Sequence, residues 1–267
     1  MKAKPLSILL CMAILGACRS EDGESGTQPK TDSKTPVLPP EVPVNLTDDG
    51  VEVGGQIAAE PTTLTMTNDS KNLHRLYFAK INDDATQAEV EKALKEDPEA
   101  LFSLIVIGGN FPGDGEEGGE ISAGGSSELT IDFPEGNYML LDPEVEGPPP
   151  LAFFEIGPSS GDEIEEPAAD YEVELGDFYF KVQDPVSGPA TVAISNAGEQ
   201  SHELSVGVTK NGEEEEAGFS FAPPPGGTLW TPFDLEPGAY EAVCFLPDPK
   251  TGKPHFKLGM TQKFTVE

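Results

Sequence analysis

Residues 240–260 read Tyr240-Glu-Ala-Val-Cys-Phe-Leu-Pro-Asp-Pro-Lys-Thr-Gly-Lys-Pro-His-Phe-Lys-Leu-Gly-Met260. The run Tyr240–Phe245 predicts a β-strand, and the Pro and Gly residues that follow it predict a stiff turn. Side chains that ligate metals therefore stand at the end of a strand (Cys244) and beyond a turn (His255 and Met260). This stretch predicts a β-sheet protein with a ligand-bearing loop.

Short apolar runs separated by Gly and Pro occur over both halves of the chain and predict an all-β fold. In the second half the further runs are Asp177–Val182, Ala190–Ser195, Glu203–Val208 and Lys263–Glu267. The first half adds one helix, expected from about Thr86 to Lys95. A capping box, Thr86-Gln-Ala-Glu89, stands there in front of an apolar face.

His202 joins Cys244, His255 and Met260 as a candidate ligand, and the whole chain has only three histidines. One thiolate and two imidazoles with a weak axial thioether form the ligand set of a type 1 copper site. We therefore expect one copper ion at these four residues. Zinc is the weaker alternative, because a thioether is a poor zinc ligand and three protein ligands would leave the site open.

This order of ligands resembles the cupredoxins, the plastocyanin and azurin family. The likeness covers roughly residues 170–267 and lies in an early His202, the Tyr-x-x-x-Cys approach to Cys244 and the His-x-x-x-x-Met spacing after His255. It implies that His202, Cys244, His255 and Met260 bind copper in a Greek-key β-sandwich that transfers one electron. It also implies that an edge of His255 lies near the surface. Ten residues separate Cys244 from His255, more than in plastocyanins or azurins.

The two halves of the chain look like copies of one unit. The first copy has Asn68, His74, Leu76 and Asp132-Phe-Pro-Glu-Gly-Asn-Tyr138; the second has Asn196, His202, Leu204 and Asp234-Leu-Glu-Pro-Gly-Ala-Tyr240, at matching spacing within each motif. Such repetition suggests duplication followed by divergence. Four residues after the shared tyrosine, the first copy has Asp142 where the second has Cys244. We expect a cupredoxin-like first domain without copper, with His74 kept as a framework residue.

Composition divides the chain into five parts. Residues 1–18 form a predicted signal peptide and residues 19–48, rich in Ser, Thr, Pro, Asp and Glu, a disordered tether. The two predicted domains are 49–157 and 170–267, and the polar stretch 158–169 links them. We therefore expect two tandem β-sandwiches, the first with one helical insertion.

The N-terminus predicts export and a lipid anchor. A basic start and a short apolar run lead into Leu15-Gly-Ala-Cys18, which is typical of a secretory signal and resembles a bacterial lipobox. The resemblance implies acylation of Cys18 and a membrane-anchored lipoprotein, periplasmic or at the cell surface. Arg19 after Cys18, rather than Asp, favours the outer membrane where a cell has two. An ordinary signal peptide with a chance cysteine is the alternative.

Cysteine usage and net charge favour some classes of function over others. Cys244 is the one cysteine left once Cys11 departs with the signal and Cys18 carries lipid, and a lone thiol in an oxidising compartment calls for burial or ligation. The net charge of −32 disfavours nucleic acid as a partner. It favours a basic redox partner such as a cytochrome. We expect an electron carrier, not an enzyme; copper storage or delivery and a metal-free structural lipoprotein are the alternatives.

Overall fold

The computed structural model describes residues 37–113, 119–143, 145, 149–210 and 213–267. The predicted signal peptide, its lipidation site Cys18 and the tether up to residue 36 lie outside the described residues. Residues 37–267 belong to one compact unit. None of the helices in the described part of the chain combines the length and apolar character that crossing a bilayer requires.

The described chain is mostly β, as the sequence predicts. Its strands are β1 (Glu41–Thr47), β2 (Gly50–Val53), β3 (Ile57–Ala58), β4 (Thr62–Asn68), β5 (Tyr77–Ile81), β6 (Ile105–Asn110), β7 (Ser126–Asp132), β8 (Gly136–Leu141), β9 (Leu151–Gly157), β10 (Tyr171–Gly176), β11 (Tyr179–Val182), β12 (Ala190–Asn196), β13 (Leu204–Lys210), β14 (Glu213–Phe221), β15 (Thr228–Phe233), β16 (Gly238–Val243) and β17 (Thr261–Val266). Two α-helices, α1 (Gln87–Glu96) and α2 (Pro98–Leu101), and a 3₁₀ helix, His255–Leu258, complete it.

The strands form three sheets. An eight-stranded sheet runs in the order β11-β10-β12-β15-β7-β4-β1-β2 and spans both halves of the chain. Each half adds a sheet of its own, β3-β9-β8-β5-β6 in the first and β14-β13-β16-β17 in the second. Side chains from all three sheets join one apolar core cluster, as expected where sheets pack face to face.

The two halves repeat the same strand pairings, which supports the predicted duplication. β1 pairs parallel with β4, and β10 pairs parallel with β12. Each half also places its shared tyrosine alike: Tyr138 Oη donates to the carbonyl of Pro134 at 2.8 Å, and Tyr240 Oη to that of Glu236 at 2.7 Å. Asn68 and Asn196 likewise each donate from the side-chain amide to the carbonyl four residues on, at 2.9 Å.

The halves meet along β7 and β15, which pair antiparallel with Trp230 opposite Thr130. This pairing makes the eight-stranded sheet continuous across the chain. The predicted linker, 158–169, lies beside the first half, since Ser159 and Ser160 donate to Glu60 and Ile164 bridges to Val37. The number of independent domains stays a prediction.

The start of the folded part differs from the predicted boundary at residue 48. Strand β1 begins at Glu41, and its alternate residues Val42, Val44 and Leu46 are buried. Every second side chain of a strand faces the same side, so these three enter the core while the residues between them face outward. The predicted helix is confirmed: Thr86 caps α1 and exchanges capping-box hydrogen bonds with Glu89.

Candidate metal centre

Four elements of the second half bring the predicted ligands together. Cys244 directly follows β16, and Met260 directly precedes β17, its neighbour in the sheet. His202 lies two residues before β13, which pairs with the other side of β16. His255 opens the 3₁₀ helix between Cys244 and Met260. Three adjacent strands thus place all four residues at one end of their sheet.

The donor atoms of His202, Cys244 and His255 lie within 4.8 Å of one another. The Nδ1 atoms of the two histidines are 3.2 Å apart, and Cys244 Sγ lies 3.4 Å from His255 Nδ1. The relative exposures of His202, Cys244 and His255 are 0%, 0% and 1%. In the described part of the chain this is the one cluster of three or more His, Cys, Asp or Glu side chains able to hold a metal ion.

Met260 is tied to two of these residues through the main chain. Its amide donates to the carbonyl of His255 at 3.1 Å, and its carbonyl accepts from the amide of Cys244 at 3.4 Å. The Met260 side chain is fully buried and belongs to the same apolar core cluster as Cys244. The main chain of Met260 is thus bonded to Cys244 and His255, and its thioether is buried.

Burial sets the charge of the cluster. Desolvation lowers the pKa of both His202 and His255 from the ordinary 6.5, so both imidazoles are neutral at pH 7 and have a lone pair to offer. Desolvation also raises the pKa of the Cys244 thiol from 9.0 to about 11. A bound cation would offset that cost, because a coordinating thiol loses its proton to the metal.

The long loop between Cys244 and His255 folds back on itself. Pro247 and Pro254 form a β-bridge, and the amide of Asp248 donates to the carbonyl of Lys253 at 2.8 Å. The Asp248 side chain closes the tip by accepting from the hydroxyl of Thr251 at 2.6 Å. Both ends of the loop therefore lie close together, and its length does not separate the ligands.

The end of this loop is also bonded to its beginning. The amide of His255 donates to the carbonyl of Leu246, and that of Phe256 to the carbonyl of Cys244, both at 2.9 Å. The amide of Glu203 points at the sulfur of Cys244, at 3.4 Å. Main-chain hydrogen bonds thus tie the ligand-bearing segments to one another.

The prediction that an edge of His255 lies near the surface is wrong, because the residue is 1% exposed. The ring of Phe178 lies edge-on to it, with centroids 5.2 Å apart and planes at 87°. The Nε2 atom of His255 is buried and has no hydrogen-bond partner among the described residues. Phe178 covers this histidine because the turn between β10 and β11 folds over the end of the sheet.

The sequence analysis does not predict the residue that contacts His202, which is Asp177. Asp177 Oδ1 lies 3.0 Å from His202 Nε2. The run Asp177–Val182 is predicted as a single strand, but β11 begins only at Tyr179, and Asp177 and Phe178 form a two-residue turn. The sequence held a signal for it, since Gly176-Asp177 is a typical turn pair.

The first half has no counterpart of the cluster at the matching place. His74 Nδ1 lies 2.7 Å from Asp142 Oδ2, and His74 Nε2 lies 2.9 Å from Ser70 Oγ. All three residues are buried, with exposures of 4%, 1% and 5% for His74, Asp142 and Ser70. Hydrogen bonds therefore occupy both nitrogens of this histidine.

Comparisons with known proteins give only distant likeness. A multicopper oxidase from Campylobacter jejuni matches with a TM-score of 0.24 and 12% identity over 85% of this chain and 64% of its own. A multi-copper oxidase from Pediococcus acidilactici matches at 0.27 and 13%, over 86% and 59%. A copper-containing nitrite reductase from Thermus scotoductus SA-01 matches at 0.26 and 12%, over 85% and 61%. The chain thus spans less than two thirds of the length of these three chains.

No family model matches the sequence, and no curated protein matches it. The site itself combines two neutral imidazoles, one thiol and one thioether, all buried, on segments that main-chain hydrogen bonds hold together. This donor set fits a metal that accepts both soft sulfur and imidazole nitrogen, which is the preference of copper.

Proposed function

We propose that His202, Cys244, His255 and Met260 hold one type 1 copper ion and that the protein carries single electrons. The observation that carries this proposal is the buried cluster in which three donor atoms lie within 4.8 Å of one another. When bound, copper would supply one-electron chemistry between Cu(II) and Cu(I).

The chain's own contribution is a site that need not rearrange. Cys244 supplies the thiolate, and the two Nδ1 atoms face it with neutral rings. Backbone hydrogen bonds from His255 and Phe256 to the other end of the loop keep these donors in place. Because these hydrogen bonds constrain the donors, a bound copper would need little reorganisation to gain or lose an electron.

Burial favours electron transfer over copper delivery. A protein that hands its metal to another must let the acceptor's ligands reach the ion, and the three donor residues here are at most 1% exposed. Electrons can still pass through bonded neighbours. Phe245, covalently next to Cys244, is 48% exposed and packs against Phe256 with ring centroids 5.5 Å apart. This pair offers a short path from the sulfur to the surface.

The cellular setting belongs to the same proposal. The lipobox-like Leu15-Gly-Ala-Cys18 supports a lipid on Cys18 and a lipoprotein outside the cytoplasm, periplasmic or at the cell surface. The net charge of −32 supports a basic redox partner, a cytochrome among them, since opposite charges steer association. The same charge argues against nucleic acid. We propose no enzymatic activity for the chain.

Copper titration of the purified full-length protein tests the proposal. Adding Cu(II) to the metal-free protein should give one equivalent of an intensely blue species that reductant bleaches and oxidant restores. Cys244→Ser should abolish the blue band, whereas the matched variant Cys18→Ser should keep it. A colourless protein, or a band that survives Cys244→Ser, would overturn the type 1 assignment. Tight zinc binding without blue copper would favour the zinc alternative.

A further inference from the structure

The outer nitrogen of His202 has a carboxylate partner. Asp177 Oδ1 lies 3.0 Å from His202 Nε2, with side-chain exposures of 37% for Asp177 and 0% for His202. An aspartate carboxylate this exposed is ionised at neutral pH and can only accept a hydrogen bond. Nε2 therefore carries the proton, and the lone pair lies on Nδ1, which faces the cluster.

The main chain holds Asp177 in this position. Asp177 is the first residue of the two-residue turn between β10 and β11. The same oxygen that accepts from His202 also accepts from the amide of Glu199 at 3.1 Å. The carboxylate thus joins the β10–β11 turn to the segment that leads into His202.

A glycine makes room for this contact. A Cβ atom on Gly198 would lie 2.6 Å from His202 Nε2 and 2.7 Å from Asp177 Oδ1. Both distances are shorter than any side chain tolerates at that place without displacing the hydrogen bond. The Asp177–His202 contact therefore requires glycine at position 198.

The first half shows what happens without that glycine. Ser70 stands two residues after Asn68, at the position that Gly198 holds after Asn196. The hydroxyl of Ser70 lies 2.9 Å from His74 Nε2. Asp48 begins the corresponding β1–β2 turn and accepts from the amide of Lys71 at 3.0 Å, as Asp177 accepts from Glu199. The turn aspartate occurs in both halves, but only in the half with the thiol does it bond to the histidine.

The second residue of the turn is strained. Phe178 has a φ of 67°, in the left-handed region that costs a bulky residue energy. Its ring is the one that covers His255. A single two-residue turn therefore contacts both histidines of the cluster, and a strained backbone at such a place indicates a functional constraint.

We propose that Asp177 is a positioning residue that selects the Nε2-protonated form of His202 and strengthens Nδ1 as a ligand for oxidised copper. The inference rests on the proposed copper site. A carboxylate that accepts from the outer N–H of a ligating imidazole raises the basicity of the ring and fixes its orientation. The harder Cu(II) gains more from a basic nitrogen than Cu(I), so Asp177 lowers the reduction potential.

Asp177→Asn tests this by removing the charge while keeping the shape. Loss of such a partner weakens metal affinity by about 10-fold to 100-fold, and we expect this for Cu(II), with a smaller change for Cu(I). A tenfold loss confined to Cu(II) raises the one-electron potential by about 59 mV. The affinities are measured on the full-length protein by competition with chelators specific to each oxidation state, and the potential by titration with mediators.

Two further variants make the result specific. Glu172→Gln removes an equal charge from an exposed position on the same hairpin and should shift the potential far less. Gly198→Ser keeps Asp177 but fills the gap beside His202, so it should shift the potential in the same direction as Asp177→Asn. Equal potentials for Asp177→Asn, Glu172→Gln and the wild type would overturn the inference.

A readout without metal separates this inference from the copper proposal. Imidazole ¹⁵N chemical shifts of the metal-free wild-type protein should show His202 protonated on Nε2. A proton on Nδ1 would overturn the role of Asp177 even if the protein turns blue with copper. If the wild type has the expected tautomer and binds no copper, the proposed function fails, and with it the effect of Asp177 on the potential. Thermal melts of the metal-free variants check that each is folded.

Discussion

His74 and Asp142 face each other across a 2.7 Å hydrogen bond in the first half of the chain, and Asp142 stands where the second half has Cys244. Asp142 directly follows β8, and Cys244 directly follows β16. The first half therefore has a hydrogen-bond acceptor where the second half has a candidate metal ligand. His74 then holds its ring between Asp142 and Ser70, and the first half needs no metal to satisfy its buried histidine.

Removing this acceptor should destabilise the first half. Asp142→Ala leaves His74 buried with one nitrogen unpartnered, and an unsatisfied buried polar group costs about 1–3 kcal/mol. We expect a loss of that size in the free energy of unfolding, measured with urea, and no change in copper stoichiometry. The control is Asp48→Asn, which weakens the exposed ion pair with Lys71 and should change stability much less, because solvent screens exposed ion pairs. Equal effects of the two variants would contradict the structural role of Asp142.

The thiol of Cys244 should react slowly in the metal-free protein. At pH 8 a pKa of about 11 instead of 9.0 lowers the thiolate fraction about a hundredfold, and the thiolate is the reactive form. The alkylation rate should rise with pH toward 11, about tenfold per pH unit. Iodoacetamide labelling followed by mass spectrometry measures it, and one equivalent of copper should block it. Rapid labelling at pH 7 would contradict the burial of the thiol.

Acid should destabilise the metal-free protein through its two buried imidazoles. Burial lowers the pKa of His202 and of His255 below the 6.5 of an unfolded histidine. The stability contributed by their neutral forms is therefore present above pH 6.5 and is lost as the pH falls through their folded pKa values. Each can contribute a slope of up to about 1.4 kcal/mol per pH unit.

Thermal melts between pH 7.5 and 5 check this expectation. His202→Gln should flatten the profile of the metal-free protein, because the glutamine has no proton to gain. Bound copper should instead steepen it, because the ligated imidazoles and thiolate stay unprotonated in the native state while the unfolded chain takes up protons. Identical profiles for the wild type and His202→Gln would show that other groups cause the acid sensitivity.

Phe178 should control access to His255. Phe178→Ala removes the ring that lies edge-on to the imidazole, so a chelator should extract copper faster while the stoichiometry stays at one. Stopped-flow bleaching of the blue band measures the extraction rate. Tyr179→Ala is the control, since it removes the next aromatic ring, which is 45% exposed and bonds to Glu174. Equal extraction rates for the two variants would rule out a specific cover.

The second half expressed alone should associate. In residues 170–267 alone, β15 still pairs with β12 but loses β7 on its other edge, and an open strand edge recruits other chains. Sedimentation should detect dimers or larger species that are absent from the full-length protein. Thr228→Lys, which places a charge on the exposed edge, should reduce the association. A monomeric fragment as stable as the full chain would instead support two independent domains.

Some of the candidate site could be predicted because ligand chemistry is local. Cys244, His255 and Met260 stand in one short stretch, and His202 could be added because the chain has only three histidines. The helix after Thr86 was predictable for the same reason, since a capping box involves residues three positions apart. A turn at Asp177 could be predicted, but its contact with His202 could not, because 25 residues separate the two and the chain has 48 acidic residues.

The sequence by itself determined the residue types, their order and the repeated motifs, since each is a pattern of near neighbours or of matching spacings. Only the tertiary structure decided how the parts meet. It joined β7 to β15 in one sheet, buried His255 under Phe178 and turned Asp177 toward His202 through the space left by Gly198. These contacts depend on which distant segments become neighbours when the apolar faces of the sheets pack together, and that choice is made by the whole core.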